Sequence, residues 1–449
     1  MGNDRLRTLL TEVGWRPETF AKRIAARARR LGFRVTVHEK TPYSWIRDGR
    51  CPHDPLPHIA CDVLAEQLGR ALTPSDLGWT PKPGGLVRAD DGLADLWFAE
   101  GTILGLEEVS SGVHRRNFLA LTGSALTAVA LQAIVADTPR LNAALEGGRR
   151  IDERIVTDLE RLAELRRSMD DQLGGGALYE SVTADLRLIT QLLANTSYPE
   201  ALGRRMYGVA AELARLAGYA CHDNGHEGAA QRFWLVALRA AHQAQDKPLG
   251  ANVMTFMGVQ ALEICGANEA VTLFASAQHA GGTEIGATQR AAIASLAACA
   301  HAKAADSSSA GRSIDEAFTW LDQSQPTDDP SWIYWADMAE LSGNAGSALL
   351  RLGENTRALP HLQAATDSLR PSSSRDRVLW MSTLASAHLR AGNADQALAT
   401  AHQAIDITAR LSSDRMRHLL GDFCREATGT LGNPASAALV EHARTTVKL

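Results

Sequence analysis

The sequence has few aromatic residues and lacks runs in which β-branched and polar residues alternate. Phe, Tyr and Trp make up 5% of the 449 residues, whereas alanine is abundant and hydrophobic residues reach 45%. Aromatic and β-branched residues favour strands, and alanine is the strongest helix former. The composition therefore excludes a chain built mainly on sheets and predicts an all-α protein of two or three domains.

Cysteine is also scarce, and no Cys-x-x-Cys pair occurs among the six cysteines. Their scatter indicates reduced, buried thiols in a cytoplasmic protein rather than a disulfide framework. The segment CPHDPLPHIAC does place Cys51, His53, His58 and Cys61 near one another. Because the paired spacing of a structural zinc site is absent, we expect no metal ion and no other cofactor.

Catalytic motifs are missing as well. The glycine run 174–176 has no lysine after it, so it does not resemble a phosphate-binding loop. His222 and His226 are four residues apart, but Gly225 and Gly228 beside them favour a hairpin turn. No nucleophile elbow is present, and we expect no enzymatic activity.

No secretory core follows the charged N-terminus, yet an internal segment imitates an export signal. HRRNFLALTGSALTAVALQAIVA (114–136) carries twin arginines before an uncharged run. Residues 118–136 are about long enough to span a bilayer, but Thr122, Ser124 and Gln132 make them only moderately apolar. We interpret the segment as a buried or interfacial helix, with a membrane or export role as the alternative, and expect no membrane association.

What the sequence does contain is a ladder of alanines in its C-terminal half: Ala230, Ala270, Ala317, Ala358 and Ala397. Small residues stand twelve positions earlier (Gly218, Gly258, Ala305, Gly346, Ala385) and apolar residues four positions later (Trp234, Phe274, Leu321, Leu362, Ala401). Steps of 40, 47, 41 and 39 residues on helical sequence predict stacked helical hairpins. Small residues allow two helices to cross closely, and we expect the apolar residues to pack into the next helical hairpin. An insertion near Ser308 would account for the step of 47.

Such a solenoid offers a concave face, lined by the first helix of each hairpin. Nine residues are predicted to lie near this groove: Glu212, Arg215, Tyr219, Asn252, Thr255, Trp335, Glu340, Asn344 and Ser382. Asparagine can both donate to and accept from a peptide backbone. Trp335 belongs to an aromatic cluster with Trp332 and Tyr334, which either packs between helices or forms a ligand pocket.

The N-terminal region differs in charge from the rest. Residues 1–80 carry 13 basic and 9 acidic side chains, a net +4, and the remainder carries 33 and 42, a net −9. A basic head on an acidic body suggests that the head alone meets an anionic polymer. We divide the chain into a head (1–80), a linker with connecting helices (81–177) and a repeat domain (178–449).

Apolar periodicity predicts four helices in the head, the third from Thr41 to Arg47 with Gly49 closing it, and basic residues on the outer side of the second, including Arg27. GWRPETFAKRI followed by TPYSWIRDGRCP resembles the lambda-repressor-like (Xre-type) helix-turn-helix domain. Two departures stand out: Pro17 occupies the place of a usual glutamine, and the link between the second and third helices is long. With RRNFLALTG, they are similar to a branch of actinobacterial regulators that carry tetratricopeptide repeats.

The resemblance implies that the third helix enters the major groove of double-stranded DNA. Its outward residues would then meet base edges, and neighbouring basic residues would bind phosphates. The candidates are Lys40, Thr41, Tyr43, Ser44 and Arg47 for bases, and Lys22, Arg23 and Arg50 for phosphates. Trp45 and Ile46 are expected to face the core.

These observations together predict a cytoplasmic, nucleoid-associated transcription regulator. Its repeats would form a homodimer and sense a peptide, a small ligand or a protein. The alternative is a protein-interaction scaffold whose degenerate head has lost DNA binding.

Overall fold

The computed structural model confirms an all-α, solenoid-like fold. It describes residues 2–30, 37–53, 56–68, 72, 74, 76–79, 87–88, 97–111, 118–122, 126–127, 133, 149–325, 327 and 329–448. Within these residues, strands are limited to two parallel pairs of two residues each. Val87–Arg88 (β1) pairs with Phe118–Leu119 (β2), and Arg149–Arg150 (β3) pairs with Thr196–Ser197 (β4).

The head contains the four predicted helices, and a fifth follows them: α1 Asp4–Glu12, α2 Pro17–Arg30, α3 Thr41–Asp48, α4 Leu56–Leu68 and α5 Ala99–Ser110. Pro17 is the first residue of α2, where its missing N–H costs no hydrogen bond. Leu6, Leu9 and Leu10 are buried, as the periodicity predicted. Apolar contacts continue from the head into the rest of the chain, since Trp45, Leu121 and Phe233 belong to one buried cluster.

The remaining described helices form a repeat body of consecutive antiparallel pairs. They are α6 Glu153–Leu173, α7 Gly175–Asn195, α8 Glu200–Asp223, α9 Glu227–Ala244, α10 Lys247–Ile264, α11 Ala267–Gly281, α12 Ala287–Lys303, α13 Ser307–Asp322, α14 Met338–Arg351, α15 Asn355–Ser368, α16 Ser374–Arg390, α17 Ala394–Thr408, α18 Asp414–Leu431 and α19 Pro434–Thr446. Asp152, Asp246, Asp306, Asp337, Ser413 and Asn433 cap helix N-termini with their side chains. The predicted boundary at residue 178 falls within α7.

Glycines of the ladder lie where the two helices of a hairpin cross. A Cβ added at Gly218 would lie 2.4 Å from the Trp234 ring, and one at Gly258 would lie 2.5 Å from Phe274. Gly346 stands in the same relation to Leu362. The expectation that these apolar residues fill the next pair was therefore wrong, because each covers the glycine of its own hairpin.

The third hairpin also corrects the choice of anchor. Ala317 lies near the middle of α13, and Ala305 lies in the preceding turn with φ +60°. Ala310 occupies the fourth position of its helix, as Ala230 and Ala358 do, and it is buried beside Ala298. No insertion is present near Ser308, which lies inside α13; the long step instead falls at the connection between α13 and α14.

The body closes on itself, so it departs from a solenoid in which each repeat touches only its neighbours. The Ser412 N–H donates to the Leu173 carbonyl (3.0 Å), and the Gly176 N–H donates to the Ser412 carbonyl (3.1 Å). Ser413 Oγ donates to Asp223 Oδ1 at 2.8 Å. These bonds place α18 against α6–α8 and bring the last hairpins next to the first.

The export-like segment is only partly as predicted. Its twin arginines lie outside the described residues. Ala120, Leu121, Thr122 and Leu126 are buried as expected, but Phe118–Leu119 form a strand rather than a helix. In the part of the chain that the structure describes, no helix is long and apolar enough to cross a membrane.

Candidate DNA-binding face and ligand cavity

Helix α3 is held on the head by one aromatic anchor. Trp45 is buried and makes edge-on contacts with Phe20 and Trp79, with ring centroids 6.4 and 5.7 Å away. Gly49 ends the helix with φ +63°, a conformation that glycine adopts without strain. Ile46 is half-buried against the same core. Trp45 and Ile46 therefore face the core, as the sequence predicted.

The outward residues of α3 and its N-cap, Lys40, Thr41, Tyr43, Ser44 and Arg47, form what we call the α3 face. Tyr43 is 47% exposed, and the Arg47 side chain is 81% exposed. Thr41 and Ser44 are half-buried, and Ser44 Oγ donates to the Thr41 carbonyl at 2.8 Å. A ligand could reach Tyr43 and Arg47 without any movement of the head.

Acidic residues stand among these candidates and neutralise several of them. Tyr43 Oη donates to Glu18 at 2.6 Å, and Arg47 binds Asp48 through two hydrogen bonds of 2.7 and 3.0 Å. These bonds lower the pKa values of the Glu18 and Asp48 carboxyls. The face is therefore mixed in charge, and DNA would have to displace these carboxylates.

Around this face lie the three residues predicted to bind phosphates, and all three are exposed. Lys22 pairs with Glu39 at 3.0 Å, and the Arg23 guanidinium lies 4.3 Å from the centre of the Trp15 ring. Arg50 follows α3 directly. Exposed pairs of this kind are worth little and exchange easily for other partners.

The structure places Arg27 differently from the sequence prediction. It was expected on the outer side of α2, but it is 7% exposed and donates to both Glu66 and Thr122. Thr122 belongs to the segment that follows the head, so Arg27 contributes to docking the head rather than to a DNA surface.

The groove residues converge on one cavity of about 510 Å³. Its helical wall is supplied by α6 and by the first helix of each later hairpin, as the repeat pattern predicted. Seven predicted groove residues line it: Arg215, Tyr219, Thr255, Trp335, Glu340, Asn344 and Ser382. Glu212 instead accepts a hydrogen bond from Arg167, and Asn252 is buried away from the lining. Whether any of these residues binds a ligand remains a prediction.

Aromatic rings form one wall of the cavity. Tyr219, Phe256 and Trp335 lie in series, with ring centroids 5.2 and 5.7 Å apart. Tyr334 lines the same space, whereas Trp332 is buried in the packing. Trp332 is therefore part of the packing, whereas Tyr334 and Trp335 line the cavity, and a role of these two residues in ligand binding remains a prediction.

Most cations around the cavity already have partners. Arg375 pairs with Asp170 at 2.6 Å across the closure, and its guanidinium lies 4.7 Å from the centre of the Tyr219 ring. Arg415 pairs with Glu263 at 2.6 Å, and Arg167 donates to Ser331 and Glu212. These pairs join distant helices, and the loss of one partner would leave an uncompensated buried charge.

Arg215 and Glu340 differ from those pairs. Arg215 is 4% exposed, and among the described residues its guanidinium has neither a hydrogen bond nor an ion pair; it lies 4.7 Å from the centre of the Phe256 ring. The Glu340 carboxyl has one hydrogen-bonding neighbour, Asn344, whose Nδ2 donates to it at 3.1 Å. Burial, reinforced by the negative charge of Asp376, raises the pKa of Glu340 to about 8.

A buried polar chain begins at the segment behind the head. Gln231 accepts from the Leu121 N–H and donates to the Leu121 carbonyl (3.0 Å), and it also donates to the Gln260 amide oxygen (2.8 Å). Gln260 in turn donates to Glu227 Oε2 at 2.6 Å. Each of these contacts is a hydrogen bond.

The chain then reaches the cavity. Glu227 meets His222 Nδ1 at 2.8 Å, and His222 Nε2 lies 3.7 Å from Glu263, the partner of Arg415. Burial lowers the pKa of His222, but the two carboxylates outweigh it and leave that pKa above its ordinary value. Leu121 adjoins Thr122, so the head contact and the cavity wall belong to one connected set of polar groups.

Sequence reasoning missed the residues that closure supplies: Arg167, Asp170, Asp171, Arg375, Asp376 and Arg415. Asp170 and Arg375 are separated by 205 positions, and no periodic signal links them. Tyr334 donates to Asp171, but burial still raises the pKa of that carboxyl to about 6. The run of charged residues at 152–171 can be seen in the sequence, but its position in the cavity wall cannot.

The cysteine and histidine cluster has no common site. Cys51 and His53 are exposed, whereas His58 and Cys61 are buried in α4. Across the described ranges, no group of three or more His, Cys, Asp or Glu side chains is placed to hold a metal ion.

The head is similar to a known family. A family model described as the SP15 N-terminal domain matches residues 6–80, which span most of α1 and all of α2–α4. No curated protein and no solved structure matches the chain. The match concerns about a sixth of the chain, so the similarity extends to the head alone.

Proposed function

We propose that this protein is a DNA-binding transcription regulator in which the repeat body holds an effector and joins two copies. The observation that supports it best is the α3 face. A short helix anchored by Trp45 and ended by Gly49 presents Tyr43 and Arg47 to solvent. A helix of this size fits the major groove, and arginine is the side chain most often bidentate to guanine.

The cavity supports the sensing role. A volume of about 510 Å³ lies within the range of small-ligand sites, and its wall combines aromatic rings with a few converging polar groups. An occupant would act on the head only by favouring one arrangement of the body over another. The polar chain from Arg415 through His222, Gln260 and Gln231 to Leu121 is a physical route for that preference.

Homodimerisation follows from the proposed DNA target. Operators read by short recognition helices commonly consist of two half-sites, and a two-fold dimer presents one helix to each. The acidic repeat body would keep the rest of each copy away from the DNA backbone.

The scaffold alternative is favoured by one observation, the carboxylates of Glu18, Glu39 and Asp48 beside the candidate residues. A head that no longer binds DNA would have no reason to avoid acidic side chains there. The same carboxylates suit a DNA-binding head if they hold basic side chains in place until phosphates replace them.

The deciding experiment is selection of bound sequences from a random DNA pool with the full-length chain. The full chain is required because Arg27 and the apolar core join the head to the body. Enrichment of a two-fold sequence, with affinity that falls steeply with salt, supports the proposal. No enrichment, together with no retention on any DNA at low salt, would leave the scaffold alternative. Sedimentation of the free protein tests the dimer independently.

A further inference from the structure

We infer that Arg215 anchors a carboxylate, and that the cavity takes an organic acid in which an aromatic group adjoins that carboxylate. The inference rests on the sensing role proposed above and names the chemical class of the occupant. A buried cation without a hydrogen-bonded partner lowers the stability of the folded protein. A role other than folding must therefore explain why Arg215 is present.

The surroundings of Arg215 make a structural explanation unsatisfactory. Its neighbour Arg167 donates to both Glu212 and Ser331, whereas Arg215 is attracted by Glu212 without a hydrogen bond in the described residues and lies against the Phe256 ring at the cavity. Its Nε is buried without a hydrogen bond among the described residues. Arg215 lines the cavity with its guanidinium over an aromatic ring, and a guanidinium can receive a planar anion in two parallel hydrogen bonds.

Further donors on the cavity wall lack partners in the described part of the chain. These are the indole N–H groups of Trp335 and Trp380 and the Ser382 hydroxyl. Unmet donors thus outnumber unmet acceptors in the lining, where Asp170 Oδ1 is the buried acceptor without a bond. An occupant that satisfies them must be rich in acceptors, as a carboxylate is.

The carboxyl groups of the cavity do not oppose an anion as strongly as their number suggests. Asp170 and Glu263 are neutralised by Arg375 and Arg415. Burial raises the pKa of Glu340 to about 8 although Arg415 acts against it, so the neutral form is favoured at pH 7. Arg167, Arg375, Arg390 and Arg415 are paired, which leaves Arg215 and Arg351 as the lining cations without an ion pair in the described part of the chain, and of these two Arg215 lies over an aromatic ring.

The aromatic part of the occupant is assigned from the wall beside Arg215. Phe256 contacts both Tyr219 and Trp335, so a continuous row of rings borders the guanidinium. Stacked or edge-on aromatic contacts add to the burial of a flat ligand. Either a free aromatic acid or a peptide with an aromatic C-terminal residue carries this chemistry.

The test compares two probes that differ at one group: N-acetyltryptophan, which carries a carboxylate, and its neutral amide, in which an NH2 donor replaces one acceptor oxygen. Calorimetric titration of the full-length protein at pH 7 should show the acid binding at least about 10-fold more tightly than the amide. Arg215→Met keeps the length and apolar contact with Phe256 but removes the charge. It should lose that advantage, while Arg425→Met, an exposed arginine on α18, should retain it.

A second measurement separates a binding role from a structural one. Because Arg215 is unpaired, ligand-free Arg215→Met should unfold at a temperature equal to or above that of the wild type, and the acid should stabilise the wild type alone. Lower stability of the ligand-free variant, equal binding of acid and amide, or no binding of either would overturn the inference. None of these outcomes depends on DNA, so the proposed DNA binding stands or fails separately.

Two additional probes identify the source of the carboxylate. Tighter binding of Ala-Ala-Trp than of indole-3-acetate assigns it to a peptide C-terminus, and the reverse order assigns it to a small organic acid. Either order supports the carboxylate site, provided that Arg215→Met weakens the tighter probe.

Discussion

The α3 face and the cavity treat charge in opposite ways. On the α3 face, Arg47 and Lys22 are exposed and are paired locally with Asp48 and Glu39. In the cavity, Arg375 is buried and paired with a residue from the other end of the body, and Arg215 is buried and unpaired. Surface pairs contribute little to folding and can be exchanged, whereas buried charges either hold the fold or weaken it. The comparison separates the exposed charged residues, which are available to bind a partner, from the buried ones, which form the wall of the cavity.

The largest effect is expected at the closure of the body. Arg375→Met leaves Asp170, Asp171 and Asp376 as buried carboxyls without their cation, so the free energy of unfolding should fall by about 3 kcal/mol or more. Urea unfolding followed by circular dichroism measures it. Arg417→Met, which removes the local pair with Asp414 on α18, is the matched control and should cost less than about 0.5 kcal/mol. Equal losses in the two variants would mean that closure does not depend on Arg375.

The next effect concerns the α3 face. Arg47→Ala should weaken binding to the selected DNA sequence by about 10- to 100-fold, because a side chain bidentate to guanine is lost. The urea midpoint should not change, since Arg47 is exposed and its pair with Asp48 is local. Arg161→Ala, an exposed arginine paired with Asp158 on α6, should leave DNA affinity unchanged. Undiminished binding by Arg47→Ala would remove α3 from the role of reading helix.

A smaller effect is expected from the unpaired acid of the cavity. The Glu340 carboxyl has an ordinary pKa near 4.5 in the unfolded chain and about 8 in the folded protein. Between these values the folded state binds the extra proton, so stability falls as pH rises. Glu340→Gln keeps the bond from Asn344 and removes the titration. The variant should gain about 1–2 kcal/mol at pH 8.5, with a smaller gain at pH 5, when urea unfolding is repeated across pH.

Exposed Glu180 on α7 offers the control for that series. Glu180→Gln should change stability little, because the side chain is exposed. A Glu340→Gln profile that parallels the Glu180→Gln profile would show that Glu340 is not held protonated by the cavity.

The smallest effect is expected at a single phosphate contact. Lys22→Ala should lower the salt slope of DNA binding by about 1 and weaken specific and non-specific sequences alike. Anisotropy titrations at several salt concentrations measure the slope. Sequence preference altered by Lys22→Ala would instead place this lysine at a base edge.

Much of the fold could be predicted because its signals are local. Alanine richness, N-cap residues and small residues at crossing points act within one helix or one hairpin. Ala317 shows the limit: it lies two turns beyond Ala310 on the same face of α13, so spacing alone could not decide between them. Ala310 shares a buried cluster with Ala298, twelve positions earlier, whereas Ala317 belongs to another cluster, and this placement identifies the anchor.

The groove residues show the same difference between what local patterns predict and what distant contacts decide. The rule that first helices line the inner face placed six candidates in the cavity, because helix order follows from chain order, and a seventh, Trp335, lies in the connection before α14. Glu212 was misplaced because its partner Arg167 lies on α6, a helix outside the alanine ladder. The buried position of Arg27 likewise depends on Thr122, a residue from a separate segment.

The sequence by itself determined an all-helical chain of hairpins behind a basic head, since helix propensity and close crossing depend on residues a few positions apart. Only the tertiary structure decided that the body closes, that a cavity forms, and which of its charges find partners. Pairing between residues such as Asp170 and Arg375 leaves no trace in local spacing, because it arises when the last hairpins fold back onto the first.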